Sequence, residues 1–112
     1  MYEGMSYIQP YYNKACTEPL EESGGSYIYQ GDIISSNVIN PYRLVVWLKN
    51  EGSHTAYDVE ITDISSNLTP TNKFIKQDIV TTQVKQCVIE VTVPQGYIGN
   101  VTLNFKLNYD SI

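Results

Sequence analysis

Long apolar runs are missing from this 112-residue chain. Residues 44–48 are typical of its short ones, and none approaches the roughly 20 apolar residues a membrane-crossing helix needs. Charge is scarce too, at 17% of residues, and the seven Lys and Arg are scattered singly against twelve Asp and Glu. A net charge of −5 without a basic stripe gives nothing to follow a phosphate backbone or dwell on an anionic membrane. The expectation is therefore no nucleic-acid partner and no direct membrane insertion. Stretches of Ala, Leu, Glu and Lys that favour helices are absent. The start, MYEGMSYIQP, lacks the basic residues and apolar centre of a secretory signal. That leaves a cytoplasmic chain, one assembled into a particle, or a piece of a longer exported protein.

Chemistry-bearing residues are equally few. His54 is the only histidine, in a turn-like stretch with no Ser or Cys nucleophile paired to it. One His and two separated Cys do not make a closed zinc site. Asp58, Glu60 and Asp63 suit calcium by ligand type, but alternation places Asp58 and Glu60 on a solvated strand face and Asp63 near the strand's end, rather than together around a calcium loop. No phosphate loop or Gly-x-Ser-x-Gly elbow occurs. The expectation is a non-enzymatic chain without cofactor or metal. Cys16 and Cys87 can pair in an oxidising compartment, or Cys87 can be a buried thiol unrelated to Cys16. Sequons stand at Asn67 and Asn100, and the first, in a polar stretch, is the better glycosylation candidate.

What is abundant is Tyr, with ten residues, together with Val, Ile and Thr, the composition of pleated, half-buried surfaces. A chain of this length buries roughly 65% of its unfolded surface, enough for one core. Residues 1–26 read as a less regular N-terminal arm or edge segment, with Pro10, Pro19 and a Ser23-Gly24-Gly25-Ser26 run that suggests a hinge. Residues 27–112 read as strands and turns. The spacing predicts strands over 27–35 (interrupted at Gly31-Asp32), 42–49, 56–64, a weaker one near 74–80, and two long ones over 85–93 and 101–109. In 56–64, Tyr57, Val59 and Ile61 share one parity. The region 65–73, with Pro70, reads as a polar connection. The fold class expected is all-β, an immunoglobulin-like antiparallel β-sandwich of about seven strands.

Between two of these strands runs KNEGSHTAYDV. Asn50 can bond its own backbone and Gly52 can take positive φ, so together they reverse the chain. The longer stretch RLVVWLKNEGSHTAYDVEITD resembles the Asn-x-Gly signature of adhesion-related, CARDB-type immunoglobulin-like repeat domains of bacterial and archaeal surface proteins. Asn50, Gly52, Ala56, Val59, Ile61 and Asp63 carry the match, and residues 84–109 resemble the family's closing strand, Pro/Gly turn and final strand. The resemblance covers residues 42–109 and implies a fold and a setting rather than a site.

The function expected is a non-catalytic module of a surface-exposed or exported protein, acting as spacer or adhesion unit on protein partners or neighbouring domains. The alternative is a subunit of a virion, tail or pilus that self-assembles through its N-terminal arm. A sugar-binding module ranks third, because Trp47 is the only Trp. Tyr7, Tyr11 and Tyr12, with Tyr2 and an outward Trp47, form the candidate interface, since Tyr and Trp bury much area at low entropic cost.

Overall fold

The computed structural model describes residues 4–35 and 38–111, and these contain nine strands and no helix. They are β1 (Ile8–Tyr11), β2 (Glu21–Ser23), β3 (Ser26–Gln30), β4 (Tyr42–Asn50), β5 (Ala56–Ser66), β6 (Thr69–Asn72), β7 (Gln77–Ile79), β8 (Val84–Thr92) and β9 (Thr102–Asp110). One sheet runs β1-β4-β8-β6 and the other β2-β3-β9-β5-β7, with every pairing antiparallel. The fold is a β-sandwich about 49 Å long and 24 Å across.

The long strands form where alternation is cleanest. Leu44, Val46 and Leu48 on β4 and Cys87, Ile89 and Val91 on β8 are buried on one face, with Leu44 opposite Ile89 and Val46 opposite Cys87. They pack against Val59 and Ile61 of β5 and Leu103 and Phe105 of β9. Each such side chain contributes about 1.5–3 kcal/mol by leaving water. Phe105 is wholly buried, its ring 5.9 Å from that of Tyr27 on β3.

Four local expectations are corrected. The Ser23–Ser26 run is no hinge: Gly24 and Gly25 have φ of 60° and 85° and close the β2–β3 hairpin, the positive pair a type I′ turn requires. The parity of residues 56–64 breaks at Asp58, whose φ of 53° marks a bulge between Ala56 and Val59. Both of those are buried, while Tyr57 turns outward at 40% exposure. The polar stretch 65–73 holds β6, an edge strand in which Pro70 is tolerated. Gly52 does not have positive φ. Its requirement is space: a Cβ there would stand 2.7 Å from the Ser6 Cα and Tyr7 N, and closer still to the Met5 carbonyl.

At Gly31-Asp32, where the sequence marks an interruption, the β3–β9 ladder stops at Gln30 and resumes at the Ile34–Gly99 bridge. The N-terminal segment is seated in the sandwich rather than laid over it. Ile8 is fully buried on β1, Leu20 is 4% exposed, and β2 pairs with β3.

Asn50 explains how the segment is held. Its side chain is wholly buried, and Oδ1 accepts from Gly52 N (2.9 Å) and Tyr7 N (3.3 Å). Nδ2 donates to the carbonyls of His54 (2.8 Å) and Ile79 (2.9 Å). One amide thereby ties β1, the β4–β5 turn and β7 together, with all four of its hydrogen-bonding positions used.

The free edges are blunted. Glu18 and Pro10 carbonyls take bonds from Tyr12 N and Leu20 N alongside β1, β6 carries Pro70, and β2 carries Glu21 and Glu22. At β7, three residues long, the Asp78 carboxylate accepts from Asp58 N. Such edges resist pairing with a foreign strand.

Candidate functional site

Because β1 pairs with β4, Gln9 and Tyr11 lie beside Lys49 and Trp47 on the outer face of that sheet. Tyr11 is nevertheless only 8% exposed, covered by the connection to β2. That connection is shaped by Asn13, whose Oδ1 accepts from Thr17 N and Glu18 N. The Tyr11 hydroxyl donates to the Glu51 carboxylate. Burial first, and then that bond, hold its pKa far above the ordinary value, so the phenol stays a donor. Lys14 extends its ammonium 5.8 Å from the centre of the half-buried Trp47 ring. One face of the indole is thus occupied from within the chain.

Tyr12 is turned elsewhere. Its hydroxyl accepts from Gln30 N at 2.9 Å, and its ring meets Tyr29 at 5.1 Å, closing the gap between the two sheets' edges. Tyr7 bonds Gln9 Oε1 at 3.1 Å. The structure therefore brings Tyr11 and Trp47 together and separates Tyr12 from them; their rings serve the fold's own packing. Tyr2 lies outside the described residues.

Cys16 and Cys87 are both free, the second of the two alternatives the sequence left open. Cys87 points into the core, whereas Cys16 lies in the β1–β2 connection, where Lys49 and Glu51 of the outer face influence it. The sheet stands between the two thiols. Burial raises the Cys16 pKa and pushes that of Cys87 from 9.0 to about 12. Below pH 9 the Cys87 thiol is protonated in folded and unfolded chains alike; above it, only the unfolded thiol ionises. We expect this group to remove stability at about 1.4 kcal/mol per pH unit as pH rises from 9 towards 12. Urea titrations of the wild type and a Cys87→Val variant across that range check it: the slope should be shallower in the variant.

Asn67 is exposed, but its amide is used. Nδ2 donates to the Asn100 carbonyl at 2.9 Å, and Oδ1 accepts from Thr102 N at 2.9 Å. A sugar on Nδ2 would break the clasp between the β5–β6 turn and the start of β9, so this side chain is poorly placed as an acceptor. Asp58, Glu60 and Asp63 do not converge. Glu60 takes a bond from Asn108 and faces Lys76 at 3.8 Å, and Asp63 faces Lys106 at 3.9 Å. Among the described residues no group of three or more His, Cys, Asp or Glu is placed to hold a metal ion.

A different surface stands out at the far end of the sandwich, where the β3–β4, β5–β6 and β8–β9 connections meet. Ile33, Ile39 and Ile98 are 72%, 86% and 69% exposed there. Val38, Asn40, Val93, Pro94 and Tyr97 line a hollow of about 520 Å³. Asn40 props its rim by exchanging two hydrogen bonds with the Val93 backbone, at 2.7 and 2.9 Å. Tyr97 donates to the Asn100 carbonyl at 2.7 Å. Sequence reasoning passed over these isoleucines because it sought apolar residues at strand parity. Their signal was apolar side chains within turn-rich stretches: across residues 31–41, 66–70 and 93–101, Asp32 is the one charged residue.

No family model, curated protein or solved structure matches the chain.

Proposed function

We propose that the chain is a non-catalytic β-sandwich module of a surface-exposed or exported protein, serving as an interaction unit held by one end. The observation that carries the reading is the meeting of Ser6 and Ser111, whose hydroxyls are 2.7 Å apart. Chain continuing from either side would leave from this one end, and the isoleucine-tipped loops would project from the other. An in-line spacer is better served by attachment at opposite ends, so of the two uses the interaction unit has the stronger support. The likeness of residues 43–63 to adhesion-related repeats supports the same setting.

Assembly of a virion or pilus through the N-terminal arm has less support. The arm's strand is already seated on β4, and the sheet edges that would receive a donated strand are blunted by Pro and acidic residues. Sugar binding on Trp47 would first require Lys14 to leave the ring. Antibodies raised against the chain, applied to intact and lysed source cells, test the reading. Staining of intact cells that protease treatment removes is the expected result. Signal confined to lysates would sink it, and signal confined to released particles would promote the assembly reading.

A further inference from the structure

We propose that Asn100 is the chain's N-glycan acceptor, and that Asn67, in the other sequon, stays bare in the folded protein. The inference rests on the exported setting of the module reading, since N-glycans are added to exported chains.

Two triplets compete, Asn67-Leu68-Thr69 and Asn100-Val101-Thr102, and the structure interlocks them. Asn67 Oδ1 accepts from Thr102 N at 2.9 Å. Its Nδ2 donates to the Asn100 carbonyl at 2.9 Å and to the Tyr97 hydroxyl at 3.3 Å. None of these bonds uses the Asn100 side chain. That side chain is exposed and has no hydrogen-bond partner among the described residues. Val101 and Leu103 are wholly buried, so alternation turns Asn100 outward together with Thr102, the hydroxyl residue the motif requires.

In the transfer, the C1–O bond of a lipid-pyrophosphate-linked oligosaccharide breaks and a bond from C1 to Asn100 Nδ2 forms. One amide proton passes to a base of the transferase, and the lipid pyrophosphate departs. A bulky sugar on Asn67 Nδ2 would have to prise the β5–β6 turn from β9, whereas on Asn100 it breaks no bond. The transferase meets the chain before it folds, so both triplets are offered to it. The fold then decides which sugar is tolerated. On Asn100 the sugar leaves from the same end as the isoleucine-tipped loops and becomes part of what that end presents.

The full chain, secreted from a eukaryotic host behind a cleavable leader, tests this. Enzymatic removal of N-glycans in heavy-oxygen water turns each sugar-bearing Asn into a labelled Asp for mass mapping. The folded secreted chain should carry its label at Asn100 alone, and Asn100→Gln should be secreted without sugar. In chains made without sugar, Asn100→Gln should keep the wild-type urea midpoint. Asn67→Ala should unfold at lower urea, because the clasp is lost. A label at Asn67 in the folded chain, or none at Asn100, overturns the proposal. So does a lower midpoint for Asn100→Gln, which would give that side chain a structural duty. The two readings fail separately. Chain on intact source cells with Asn100 bare sinks this inference alone, whereas chain confined to lysates sinks the module reading and this inference with it.

Discussion

An Asn50→Asp variant should lose about 4 kcal/mol of stability near neutral pH, a large part of the 5–15 kcal/mol typical of a domain this size. The amide Nδ2 donates to two carbonyls, of His54 and Ile79, in a position without solvent exposure. A carboxylate would set negative charge against both oxygens with no proton to offer. Protonation restores one donor at most, so the introduced carboxyl should titrate above the ordinary carboxylate range. The loss should therefore grow as pH rises through that range and shrink in acid. Asn50→Ala separates the contributions. It should cost about 3 kcal/mol, leaving partners unpaired without adding charge, and its deficit should be nearly independent of pH. Urea unfolding of both variants at pH 4 and pH 7 reads the difference; equal losses at both pH values for Asn50→Asp would contradict the buried-amide account.

Replacing Gly52→Ala should cost about 3 kcal/mol and act chiefly on the N-terminal strand. The new methyl group would meet backbone atoms of Met5, Ser6 and Tyr7, so a rotamer change offers no escape. The chain must instead yield the bonds from Glu51 N to Tyr7 O (2.7 Å) and from Ser53 N to Met5 O (2.9 Å). Amide exchange should quicken at Glu51 and Ser53 by far more than at β8 or β9. The urea m-value should fall, because a strand already lifted in the folded state exposes less new surface on unfolding. Uniform exchange at all these positions would mean that the glycine serves some purpose other than close approach.

The sequence announces this neighbourhood but misstates its cause. Asn50 and Gly52 mark a turn by residue type alone, and the Gly52 N–H does bond the Asn50 side chain. What no local pattern carries is that residues 5–7, more than 40 positions earlier, press against that turn. The same division runs through the fold. Strands β4, β8 and β9 are legible because two-residue periodicity over nine positions leaves one way to bury them. β5 is legible as a strand but not in its facing, since one residue in left-handed conformation at Asp58 reverses every side chain before it. β1 and β6 hide behind proline, and the Gly24-Gly25 turn imitates a flexible link because glycine permits both. For the surface, composition gave aromatic abundance without position. Tyr11 and Tyr12 went to internal bonds, and the apolar residues left in water were isoleucines in turns.

The bond between Ser6 and Ser111 joins residues 105 positions apart, so the chain is nearly a closed ring. In a ring, the place where the polypeptide is cut matters less than the circuit it completes. A short Gly-Ser linker across this gap, with new ends opened between Gly24 and Gly25, would keep both sheets and reorder synthesis so that β3 is made first and β2 last. The β1–β4 pairing would survive such a permutation with its register intact, but Tyr7 would then lie more than 60 residues after Asn50 instead of 43 before it, lengthening the loop that must close before Asn50 finds that partner.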